Sequence, residues 1–350
     1  MGFSVIEELL QRNGFWTVKG PQNHVVLSSR IRLARNMHGI CFPGRMKNSE
    51  AAALRSSLER FVHHLPEHSR PIIIDIHSIG SGEKRLLRER NIITNDMELN
   101  ESTYVIVSPA EDYNILINDE DHVRIQVIRA GLQLQESYNA ADKIDDMLNR
   151  FIPYAFSSEY GYLTSCAANT GTGLRVSALL HLPVLTRKNS IDDLTDSLKK
   201  RSAEIKSTIP NSNKSIGALY QVSNRISLGI SEIDIIEMID GIVCELIEME
   251  DFERDLLYSD MKSEMDDSIC RSFGLLQHSR KMTYIEALDN LSNIRLGVIL
   301  AVIKNVELPD INDMMVNIQW AHLQRRFGRV FITTAECDEH RSEYLRGMIH

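Results

Sequence analysis

Residues 104–108, 113–118 and 123–128 are three short runs rich in Val, Ile, Leu and Tyr, parted only by brief polar connectors. Strands this close in sequence pair antiparallel, because a parallel pair needs a crossover of about a dozen residues or more. The stretch therefore predicts an antiparallel sheet rather than the regular strand–helix–strand alternation of a Rossmann fold. Further extended segments are expected at 25–27, delivering residues 28–32 to its end, at 72–76 and at 217–222. Apolar residues at helical spacing mark 49–62, 132–151 and 233–249, and a short helix is expected at 5–10. Ser190 with Asp193, and Thr283 with Glu286, have the spacing of capping boxes. From Asp251 onward the chain is polar, Met-rich and helical. The expected fold class is α+β: an antiparallel sheet flanked by helices over residues 1–252, then an all-helical unit over 253–350. A chain of 350 residues is long enough for two such domains.

Composition narrows the setting. The net charge of −9 argues against a general nucleic-acid partner, which calls for a basic face, and suits cationic, Arg-bearing substrates. The five cysteines (Cys41, Cys166, Cys244, Cys270, Cys337) are odd in number and widely spaced, with no Cys-x-x-Cys. That usage predicts free thiols in a reducing cytoplasm, with neither a disulfide framework nor a metal site. Cys244 is expected to be a core thiol of its helix. The first residues lack the basic-then-apolar order of a signal peptide, and apolar runs such as 72–74 are too short to span a bilayer, so no membrane association is expected. Gly80-Ser81-Gly82-Glu83-Lys84 lacks the spacing and ending of a P-loop.

The chemistry gathers in four places. Residues 162–175 (Tyr162-Leu163-Thr164-Ser165-Cys166-Ala167-Ala168-Asn169-Thr170-Gly171-Thr172-Gly173-Leu174-Arg175) are small and polar and read as a loop. Gly171 and Gly173 would let backbone N–H groups approach an anion, and Arg175 can meet phosphate oxygens with its planar fork. The same residues also fit an ordinary Gly-rich turn with a buried thiol. In Ser28-Ser29-Arg30-Ile31-Arg32 the two guanidinium groups of a strand would face one side, as a phosphate clamp or as a solvated basic face. Asp119, Glu120 and Asp121 lie between two strands. If partly buried, at least one of them should have a raised pKa; the alternative is an acidic surface turn. Gln221-Val222-Ser223-Asn224-Arg225-Ile226-Ser227 completes the set.

In this order the four stretches resemble the phosphagen (guanidino) kinase superfamily, and within it the bacterial protein-arginine kinase (McsB-type) branch, over essentially the whole chain. The resemblance implies a kinase that transfers the γ-phosphoryl group of ATP, with Mg²⁺, to arginine in proteins, in stress response and protein quality control. It implies Glu120 as the catalytic carboxylate assisted by Asp119, with Cys166 lining the guanidinium pocket. Nucleotide contacts are implied for Ser29, Arg30, Arg32, Arg124, Arg175 and Lys206, and substrate contacts for Asn169 and Asn211. In the C-terminal unit, Asp338 and Arg341 would sense phosphoarginine, and an apolar helical face would suit a homodimer. An activator protein and an AAA+ protease are the further partners implied.

The chain departs from the pattern in places. Ala167 replaces the proline after the loop cysteine. The usual Arg-Gly-Leu-Tyr-Gly-Glu-Gly loop reads Lys206-Ser207-Thr208-Ile209-Pro210-Asn211-Ser212. Lys206 thus replaces an Arg on phosphate, and Asn211 a second glutamate on the guanidinium. The Arg-Asp-x-x-Arg pattern reads Cys337-Asp338-Glu339-His340-Arg341. The rival expectation is a catalytically weakened homologue that acts as a phosphoarginine-binding or protease-adaptor protein. A free-arginine or creatine-type kinase is disfavoured, since those carry a helical domain before the Ser-Ser-Arg motif.

Overall fold

The computed structural model describes residues 14–65, 71–94, 102–209 and 216–349. The helix expected at 5–10 and the substrate contact expected of Asn211 lie outside the described residues.

Eight strands form one sheet in the spatial order β2 (Ile72–Asp75), β3 (Tyr104–Val107), β4 (Tyr113–Ile117), β5 (Val123–Ala130), β1 (Val26–Arg35), β8 (Leu174–His181), β10 (Leu219–Asn224) and β9 (Ala203–Ser207). Every neighbouring pair is antiparallel. A two-stranded ribbon, β6 (Phe156–Ser157) and β7 (Gly161–Tyr162), stands apart from it. Two strand expectations change. β1 does not stop at residue 27 but carries the whole Ser-Ser-Arg-Ile-Arg motif, and Lys206 lies inside β9 rather than in a loop.

Side chains alternate along a strand, so the sheet has two unlike faces. On one face Ile31, Leu33, Ile125, Val127, Leu174, Val176 and Val222 are buried in a common core with Ala141, Ile144, Ile235 and Ile239. These last belong to α3 (Leu134–Asn149) and α6 (Glu232–Asp260), whose apolar stripes recur at helical spacing. The register places Arg30, Arg32, Arg124, Gln126, Arg175, Ser177, Gln221, Ser223, Glu204 and Lys206 together on the other face.

Helices frame that polar face. α2 (Ser81–Glu89) packs Leu86 and Leu87 on Ile74, Val105 and Leu116, at the β2–β4 side. α2 is formed by the segment that superficially suggests a P-loop; Gly80 is its N-cap. At the other end the helical unit packs Leu288 and Leu291 with Leu27 and Leu219 of the sheet. The unit comprises α7 (Lys262–His278), α8 (Tyr284–Ile299), α9 (Leu308–Asn317), α10 (Trp320–Arg326) and α11 (Thr334–Met348). Fully buried Arg295 of α8 fastens it to the sheet, donating to the carbonyls of Asn23 and His24 (2.8 Å to the latter) and to Asn312. α6 runs unbroken across the boundary expected at 252/253.

Local expectations divide. Thr283 caps α8 by accepting from the Glu286 N–H at 3.2 Å, whereas Ser190 precedes α5 (Ile191–Lys200) without a side-chain cap. Cys244 is exposed, one position off the buried stripe of Ile239, Ile242, Val243 and Leu246. The remaining α-helices are α1 (Asn48–His64), whose Leu54, Leu58 and Phe61 join the apolar core, and α4 (Pro183–Arg187), whose Leu185 does the same.

Candidate active site

Three neighbouring strands deliver arginines to one patch of the polar face. Arg32 of β1 lies opposite Arg175 of β8, and Arg124 of β5 lies opposite Ala34, one pleat further along β1. Arg30 is anchored by Gln221 Oε1, which accepts from its Nη2 at 2.6 Å. Such a gathering costs free energy. Burial, then repulsion from Arg124 and Arg175, lowers the Arg30 pKa to about 10. Arg32 is pushed well below the usual guanidinium range by burial and by Arg30, Arg124 and Arg175. Moreover, among the described residues the buried Nε groups of Arg32, Arg124 and Arg175 have no hydrogen-bond partner. Buried donors are normally satisfied, so this patch has the chemistry of an anion-binding site.

The acids stand beside it. Asp119, buried, forms an ion pair with Arg124 at 2.8 Å. Glu120 projects at the rim. Its carboxyl is raised above the usual glutamate value by partial burial and by Asp121 and Asp119, against the opposing pull of Arg124 and a hydrogen bond with Cys166. Asp121 serves differently: its Oδ1 accepts from the Ser165 N–H at 2.7 Å and from Asn36 Nδ2 at 2.6 Å, tying the acidic turn to the 162–175 loop. His122 is buried with its pKa lowered by that burial. Its Nδ1 accepts from the Met37 N–H at 3.0 Å while Nε2 lies 2.9 Å from the Cys41 carbonyl, which places the proton on Nε2.

Two cavities meet at these carboxylates. One, of about 230 Å³, is lined by Arg32, Asp119, Glu120, Arg124, Cys166, Asn169 and Arg175. The other, of about 660 Å³, shares Asp119, Glu120 and Arg124 and adds Cys41, Phe42, Arg45 and Ser165. A reactant on the arginines and a second one entering past Phe42 would therefore meet at Glu120.

A family model described as "ATP:guanido phosphotransferase, C-terminal catalytic domain" matches residues 54–253, and one described as "Protein-arginine kinase McsB C-terminal domain" matches residues 262–350. The protein-arginine kinase of Bacillus subtilis (strain 168) is 34% identical over 337 residues, covering 95% of this chain and 92% of that protein. That of Halothermothrix orenii is 33% identical over 356 residues, covering 97% and 98%. The chain belongs to the protein-arginine kinase family. It is accordingly an enzyme, a phosphotransferase of the guanidino-kinase lineage. The substrate-free duplicated taurocyamine kinase from Schistosoma mansoni superposes with a TM-score of 0.59 at 19% identity, over 76% of this chain and 40% of that one, and so shares the fold.

Several residues of the kinase stand elsewhere than their motif suggests. Ser29 points to the helical side of the sheet: its hydroxyl donates to the Gly131 carbonyl at 2.8 Å and accepts from the Gln133 N–H at 2.9 Å. It holds the start of α3 and is turned away from the arginines. Gly171 and Gly173, both at positive φ, serve close backbone packing rather than an anion. An added Cβ would lie 2.2 Å from the Ser227 carbonyl oxygen at Gly171 and 2.6 Å from that of Ala34 at Gly173. The Gly171 N–H is also spent on Tyr162, at 3.2 Å. Lys206, with a side chain 68% exposed, pairs with Glu204 at 2.7 Å. Asp338 and Arg341 are engaged with each other. Arg341 is buried and donates further to the carbonyls of Ile318 (2.8 Å) and Met282 (2.9 Å) and to Cys337 Sγ (3.2 Å). As it stands, Arg341 staples α11 to its neighbours instead of presenting its guanidinium to a ligand.

Sequence reading alone overlooked Arg35 and Glu204. Buried Arg35 donates to Asp145 Oδ2 at 2.7 and 3.0 Å and to the Thr172 carbonyl at 2.9 Å, and it lies 3.6 Å from the Tyr162 ring centroid. It thus pins both ends of the loop to β1 and α3. A third arginine in Arg30-x-Arg32-x-x-Arg35, out of phase with the other two, was the available signal.

Proposed function

We propose that this kinase transfers the γ-phosphoryl group of ATP to the guanidinium of arginine side chains in proteins. The single observation that carries the reading is the arginine patch with its unpartnered buried Nε groups, set beside a rim carboxylate of raised pKa. The kinship with protein-arginine kinases supplies the acceptor.

In this mechanism the nucleotide phosphates lie on Arg30, Arg32, Arg124 and Arg175. The acceptor arginine enters through the larger cavity, past Phe42, and reaches Glu120 where Cys166 and Asn169 of the smaller cavity face it. A guanidinium is protonated and a poor nucleophile. Glu120 takes a proton from it as its nitrogen attacks the γ-phosphorus; the N–P bond forms, the bond to the bridging oxygen breaks, and ADP leaves with the electron pair. Asp119 holds Arg124 toward the phosphates. Among the described residues no group of three or more His, Cys, Asp or Glu is placed to hold a metal. Mg²⁺ typically binds through one or two carboxylates plus substrate phosphates, so it would arrive with ATP and neutralise phosphate charge. Homodimerisation, an activator protein, an AAA+ protease partner, and a cytoplasmic role in stress response and protein quality control belong to the same proposal, supported by that kinship. Among the described residues, no helix is long and apolar enough to cross a membrane.

The test is mass spectrometry of an Arg-rich or denatured protein incubated with Mg-ATP, under conditions that preserve acid-labile phosphoarginine. Phosphoarginine on the substrate is expected. Its absence, with nucleotide binding retained, would favour the adaptor reading.

The pH profile follows from Glu120. A base must be ionised to act, and this carboxyl is raised. Lowering the pH should therefore cut kcat/KM through an acid limb lying above the ordinary glutamate value of about 4.3. An acid limb at or below that value would remove Glu120 as the base.

A further inference from the structure

We infer that Glu204 sets the nucleotide affinity of this kinase by standing on Arg175 and Lys206 where phosphate oxygens would stand. The inference rests on the nucleotide reading of the arginine patch. β9 brings Glu204 opposite Ser223 of β10, on the same face as Arg175. One carboxylate oxygen accepts from Arg175 Nη2 and from the Ser223 hydroxyl, the latter at 3.3 Å. The other oxygen accepts from Lys206 Nζ at 2.7 Å. The Glu204 side chain is 16% exposed, so this is a half-sheltered contact rather than a fleeting surface pair.

The neighbouring contacts sharpen the point. Arg124 is met by Asp119, and Glu204 is the acid that meets Arg175. Carboxylate and phosphoryl oxygens compete for the same N–H donors through the same charge-assisted bonds. A nucleotide phosphate reaching the outer edge of Arg175 must displace the carboxylate. The largely exposed Lys206 offers it a path toward water. The two roles open to Glu204 make opposite predictions. If it orients Arg175 for the nucleotide, neutralising it weakens binding. If it stands in for phosphate, neutralising it tightens binding, and a merely structural contact gives no gain.

The experiment is calorimetric titration of Mg-ADP and Mg-ATP into the full chain, comparing the parent with Glu204→Gln and Glu204→Ala, with thermal melts run alongside. About tenfold tighter binding is expected for Glu204→Gln, the scale of one displaced charge-assisted contact. Glu204→Ala, which also removes the competing oxygens, should tighten binding at least as much. Binding by the variants but not by the parent would support the inference most strongly. Equal or weaker binding by both folded variants, with the parent binding normally, overturns it. Failure of parent and variants alike, with melts unchanged, would overturn the nucleotide reading itself and this inference with it.

Discussion

Glu120→Gln is expected to lower the rate of phosphoryl transfer by about 100- to 10,000-fold, the usual worth of a positioned general base. Nucleotide affinity should stay within a few-fold, because the phosphate contacts are assigned to Arg30, Arg32, Arg124 and Arg175 and not to this side chain. The expectation comes from placement. Glu120 is the acid shared by the two cavities that is free of an ion pair among the described residues, whereas Asp119 is paired with Arg124 and Asp121 is bonded to Ser165 and Asn36. Initial rates at saturating ATP and a separate nucleotide titration separate the two quantities. A variant that turns over at more than a tenth of the parent rate would show that the acceptor proton leaves by another route.

The second large effect is structural. Arg35→Ala should destabilise the protein by about 3–5 kcal/mol, the scale of breaking a buried ion pair by removing one partner. Arg35 is 1% exposed, and Asp145, 6% exposed, would be left as a buried carboxylate whose Oδ1 already lacks a partner. The Thr172 and Ala34 carbonyls would each lose a donor too. Denaturant unfolding measures the loss. The double variant Arg35→Ala/Asp145→Ala should recover part of it, because no charge is then stranded. A single-variant loss below about 1 kcal/mol would mean that the loop is held chiefly by Asp121 and by the glycine contacts.

The two effects explain each other. Glu120 can act as a rim base because the segments around it are fixed by groups that do no chemistry. Asp121 holds the Ser165 end of the loop and Arg35 the Thr172 end. His122, neutral and buried, holds the chain at Met37 and Cys41. The catalytic face is thus assembled from polar contacts between segments far apart in sequence. Each of these would be costly to break, since buried polar groups have no water to fall back on.

Local pattern in the chain was enough for the elements and for the residue types of the site. The short connectors between 104 and 128 could yield only antiparallel pairs, and the alternation Arg30-Ile31-Arg32-Leu33 assigned the arginines to one face, because side-chain period follows directly from strand geometry. The acids 119–121 and the loop 162–175 were likewise visible as places where that periodicity fails. What each polar residue does was decided only by the tertiary structure. Asp119, Glu120 and Asp121 are nearly equivalent as letters, yet one pairs with Arg124, one stands at the rim and one anchors a loop 44 residues away. Ser29 sits inside the phosphate motif but faces the helices, since one residue of strand reverses the face. Lys206 reads as the start of a polar loop and Glu204 carries no signal of its own, yet pairing of β9 with β10 puts both on the face of Arg175. Periodicity is a property of one segment and can be read from it. Burial, pairing and the sign of a pKa shift depend on what the rest of the chain brings within a few ångströms, and no single segment carries that information.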